Sequence, residues 1–113
     1  MPSFETSMAV ATVTLVTEKL NAKVKPSAIF VDNVNAGADA SLLFQDVFTP
    51  SVTNLVPVPV LTTVTRLAIN VAAGQMSSTM EDLLKDIDFI GTVQVVRSVL
   101  DANCLVTFIY KLA

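Results

Sequence analysis

Over residues 9–18 apolar and polar positions alternate: Ala9, Ala11, Val13 and Leu15 fall on one side of an extended backbone, Thr12, Thr14 and Glu18 on the other. A period of two predicts a first, half-buried strand over residues 9–17. Lys19, Lys23 and Lys25 then mark a solvated connection, and residues 27–32 form a short apolar run closed by Asp32-Asn33, a pair that favours turns. In residues 41–48, Leu42, Phe44 and Phe48 share a face until Thr49-Pro50 ends the strand, because proline cannot donate to a ladder. Pro57 and Pro59 restrict residues 55–60 to an extended or edge segment. Residues 61–72 predict a long strand, with Leu67, Ile69 and Val71 opposite Arg66 and Asn70.

One segment changes period. Ser78 followed by Glu81 matches a capping box, and Met80, Leu83, Leu84 and Ile87 fall on one helical stripe, so a helix of about two to three turns is expected here. Residues 89–99 and 103–112 then read as a C-terminal hairpin joined through Leu100, Asp101 and Ala102. Residues 1–8 carry no periodic pattern and read as a flexible N-terminal arm, leaving residues 9–113 as a single β domain. The expected fold is mainly β: an antiparallel β-sandwich or partly closed barrel of six to seven strands, with one short helix before a C-terminal β-hairpin.

Composition supports that class and narrows the chemistry. Charged residues are 15% of the 113 and hydrophobic ones 52%, against about 25% charged in an average domain. Val and Thr are abundant while Gly numbers three and Trp none, a balance suited to pleated surfaces. The net charge of −3 supplies no basic footprint, so nucleic acid is not expected as a partner. No basic, then apolar, N-terminal segment suggests a secretory signal. The longest charge-free stretch, residues 47–65, is interrupted by Pro50, Pro57 and Pro59, so neither a spanning helix nor a membrane partner is expected.

Without a single His, metal ligation and general base chemistry lose their commonest residue, and no cofactor motif appears. Asp82, Asp86 and Asp88 read as a solvated helix face. Asn33, Asn35, Gly37 and Asp39 have the alternate spacing of a Ca²⁺ loop, with Asp32 and Asp46 as outlying carboxylates, but no bidentate Glu follows, so an ordinary turn is expected. Cys104, in an apolar run without an activating neighbour, reads as a small buried hydrophobe.

The strands raise a different question, because several are apolar on both faces. Cys104, Val106, Phe108, Tyr110 and Leu112 share one face of the last strand, yet Leu105 and Ile109 occupy the other. Val96 likewise interrupts the polar row Thr92, Gln94 and Ser98. A two-layer domain buries one face per strand, so the second set calls for another cover, either the helix or a neighbouring subunit. Phe4 in the arm and Val96, Leu105 and Ile109 on the strands are the expected interface residues. The leading expectation is therefore a non-catalytic structural subunit of a symmetric multicopy assembly, such as a small virion coat, decoration or tail component, whose partners are copies of itself or other subunits. A β-sandwich module binding a protein or small apolar ligand comes second, and an enzyme of unknown type third.

Overall fold

Val- and Thr-rich runs become strands throughout the computed structural model, which describes residues 3–18, 22–48, 61–97, 99 and 101–113. The strands are β1 (Ser3–Met8), β2 (Thr12–Val16), β3 (Val24–Asp32), β4 (Ala40–Phe48), β5 (Thr62–Val71), β6 (Met76–Thr79), β7 (Thr92–Arg97) and β8 (Asp101–Leu112). They form two four-stranded antiparallel sheets, ordered β1-β8-β3-β6 and β2-β7-β4-β5. The pairing is nested: β4 pairs with β5, β3 with β6, β2 with β7 and β1 with β8. A long hairpin with its bend between β4 and β5, rolled so that its ladders divide between two sheets, produces this order, which is that of an eight-stranded jelly roll. The sheets form a sandwich and do not close into a barrel.

Alternation decides what lies between the layers. Leu42, Phe44, Val93 and Val95 of the second sheet face Ile29, Val31, Val106 and Phe108 of the first, all fully buried. Phe108 is the centre: its ring stacks on Phe44 at 6.3 Å across the sandwich, meets Phe89 edge-on at 6.2 Å and lies 5.7 Å from Tyr110. Such aromatic pairs add to what their buried area contributes.

Four expectations are corrected. Ser3–Met8 is an antiparallel strand on the edge of β8, not a free arm, because Met8 is fully buried and the β8 edge offers a row of backbone partners. The helix α1 is one turn, Glu81–Leu84, with Met80 at its N-cap and no side-chain cap. Ser78 pairs instead with Phe30 as part of β6, because the β3 edge from Ile29 to Asp32 takes up the backbone of Met76–Thr79. Only Leu84 and Ile87 of the apolar stripe reach the core, while Leu83 is 75% exposed. The last two strands are not a hairpin, since β7 and β8 belong to opposite sheets. The lysine-bearing connection is shorter than expected, because β3 begins at buried Val24, whose N–H and C=O bond to Phe89. The segment expected over residues 55–60 lies outside the described residues.

Candidate interaction surfaces

Two polar nodes sit inside the sandwich. Ala40, Leu42 and Phe44 point inward along β4, and the next residue in that row is Asp46, fully buried. Its carboxylate accepts from the backbone N–H groups of Ile90 (3.0 Å) and Gly91 (2.8 Å) and from Arg66 Nε (3.2 Å) and Nη2 (3.0 Å). A β-bulge in β5 leaves Arg66 as the extra residue between Leu67, opposite Phe44, and Thr65, opposite Gln45. The bulge draws the guanidinium off the strand face, 5.9 Å over the Phe48 ring and onto Asp46. Gly91 must be glycine here, because a Cβ would collide with the Val47 carbonyl oxygen.

The second node is built on Arg97, the largest fully buried side chain, which continues the inward row Val93, Val95 of β7. Its Nη2 donates to the carbonyls of Ala38 (3.2 Å) and Asp39 (3.4 Å), and its Nη1 to Asn33 Oδ1 at 3.5 Å. Asn33 Nδ2 reaches the carbonyls of Ala38, Val71 and Ala72 at 3.1 to 3.2 Å, so one amide ties the β3–β4 loop to the β5–β6 turn. Arg97 Nε has no hydrogen-bond partner among the described residues. Beside this node, burial pushes the Cys104 thiol upward while the Arg97 charge opposes the shift. The exposed Asp101 carboxyl is held below the usual aspartate range by the N–H groups of Asn103 and Gly37.

These positions settle where the sequence candidates go. In the Asn33 to Asp39 loop, Asn33 points into the node, Asp39 accepts from Ala73 N–H at 2.9 Å and Asp32 caps Val34 N–H at 3.1 Å. Asp46 is engaged by Arg66, and no group of three His, Cys, Asp or Glu suited to an ion occurs among the described residues. Asp86 and Asp88 border a surface cleft of about 330 Å³ with Lys23 and Arg66, and Asp88 pairs with Lys25 at 3.1 Å. Sequence reasoning missed the two nodes. The signal was the inward strand parity of Asp46 and Arg97.

The expected interface residues are not brought together. Phe4 lies opposite Phe108, on the inner row of an edge strand, and remains 38% exposed. Leu105 and Ile109 project from the outer face of the first sheet, where Leu105 is 37% exposed. Val96 projects from the outer face of the second sheet, on the other side of the molecule.

The two outer faces differ in charge. That of the first sheet mixes Leu105, Ile109 and Phe30 with Glu5, Lys25, Asp32 and Lys111. Among the described residues, no outward-facing position of β2, β7, β4 and β5 is charged. One transverse row reads Thr14, Gln94, Gln45, Thr65, in which Gln94 Nε2 donates to Gln45 Oε1 at 2.7 Å and Gln45 Nε2 to Thr65 Oγ1 at 3.4 Å. The row on one side reads Thr12, Val96, Leu43, Ala68, and the row on the other Thr92, Val47, Thr63.

No helix among the described residues is long and apolar enough to cross a membrane. Comparison with protein-family models, with curated proteins and with solved structures finds no match to this chain.

Proposed function

We propose that this chain is a structural, non-catalytic subunit that assembles in multiple copies with itself or with other subunits of a larger particle, most concretely a small virion coat, decoration or tail component. The observation that carries this reading is the outer face of β2, β7, β4 and β5: four strands wide, without charge, half-buried along its central strands β7 and β4 and exposed along β2 and β5. A solvated face normally gathers charged side chains, whereas the centre of a protein interface is depleted in them. The most deeply buried polar side chains, Asp46, Arg97 and Asn33, are engaged in holding loops. Eight-stranded jelly rolls occur in capsid proteins, and also in lectins and cupins, so the architecture agrees with the reading without carrying it.

Light scattering of the purified chain over a wide range of concentration tests the proposal. A discrete species of several copies, or particles visible by negative-stain imaging, is the expected result. A mass that stays that of one 12.0 kDa chain at every concentration sinks it as a self-assembling subunit.

A further inference from the structure

We infer that the uncharged outer face of the second sheet docks against the same face of a second copy across a two-fold axis lying along its Gln45–Gln94 row; this rests on the self-assembly reading and names its first contact. The argument begins with what each occupant requires. A nucleic acid or a charged protein needs an opposite charge to meet, and no outward residue of these four strands supplies one. A copy of the same face needs self-complementarity, which a charged row lacks because like charges would meet across the axis. Gln supplies it, since each amide both donates and accepts.

The rows fit that symmetry. Rotation about the Gln row lays Gln45 and Gln94 of one copy on those of the other. It also places Leu43 of each copy over Val47 of its partner, so one apolar pair forms on either side of the polar row, while Val96 comes over Thr92 and Ala68 over Thr63. Strands about 4.8 Å apart rising about 3.3 Å per residue give the part of this face that the rotation superposes a footprint of about 400 Å², so a pair covers about 800 Å², the size of a weak, concentration-dependent contact. The opposite outer face is a poorer match to itself, because Glu5, Lys25, Asp32 and Lys111 are spread across it.

Sedimentation of Leu43→Lys and Val96→Lys, with Ile109→Lys on the opposite face as control, tests the contact. Each lysine on the second sheet should raise the dissociation constant of the two-copy species about 100-fold or more, since it would bury a charge without a partner, while Ile109→Lys leaves that step unchanged. Should the lysine variants fail to fold by circular dichroism, Gln94→Cys decides. It is expected to cross-link between copies with a bismaleimide that spans the roughly 10 Å between face-packed sheets, a gap too wide for a disulfide, whereas Thr107→Cys on the other face is not, and Cys104 is buried in both. Lysine variants that associate like the parent, or a Gln94→Cys chain that never cross-links, overturn the inference. If Ile109→Lys alone dissociates the oligomer, self-assembly stands and this surface does not; a parent chain that is always a monomer removes both.

Discussion

Asp46 illustrates how much a single inward-pointing carboxylate can organise. Burying a charge is costly unless its hydrogen-bonding capacity is filled, and here two oxygens receive four N–H groups from three residues. The result ties β4 to β5 through Arg66 and to the approach of β7 through Ile90 and Gly91. Asp46→Asn keeps the volume but removes the charge and turns an amide donor toward existing donors. Its expected cost is about 3 kcal/mol, read as a lower midpoint of urea unfolding. Arg66→Ala should cost less, because that side chain is 31% exposed and partly hydrated. An Asp46→Asn chain with the parent midpoint would show that the carboxylate is not what holds these strands. Arg97 reaches a similar end by the opposite route, its positive charge met by carbonyl and amide oxygens instead of a carboxylate.

Among the elements, β1 most changes the picture drawn from sequence. It covers an edge of β8 along its length and buries Met8 completely. Removing residues 1–8 should therefore lower the melting temperature by about 10 °C or more, the loss of one buried Met and a strand ladder in a domain of this size. An unchanged melting curve would mean that the ladder contributes nothing. The sequence hid this strand because Ser3, Phe4, Glu5, Thr6 and Ser7 hold one large apolar side chain between them, so periodicity had nothing to register. Strands β4 and β5 were legible for the opposite reason, with Leu42 and Phe44 facing Ile69 and Leu67 in strict alternation until the bulge at Arg66. The helix was over-read: the Ser78 to Glu81 spacing and the Met80 to Ile87 stripe satisfy local rules, but an unpaired β3 edge takes up the backbone of Ser78. Of the surface residues, Val96 was visible as an apolar interruption in a polar row. That its neighbours on the sheet include Leu43 and Gln45 depends on strand order, which periodicity does not encode.

At the scale of the whole molecule, low charge and filled layers leave the outer faces as the chief unsatisfied surface. The nested pairing also has a meaning in time. Its innermost pair joins strands near the middle of the chain, while its outermost sets Phe4 opposite Phe108. Closing a long loop costs more entropy than closing a short one, so the pairs are expected to form from the inside outward, on the millisecond-to-second scale of β-sandwiches. Stopped-flow measurements should find that Ile69→Val in β5 slows refolding, whereas Met8→Ala in β1 chiefly speeds unfolding. The reverse partition would place β1 and β8 in the folding nucleus. During synthesis β1, made well before β8, is thus among the last strands to find its partner. Until β8 leaves the ribosome, Met8 has no native ladder to enter, and the interval in which newly made copies could join wrongly is set by the length of the chain between them.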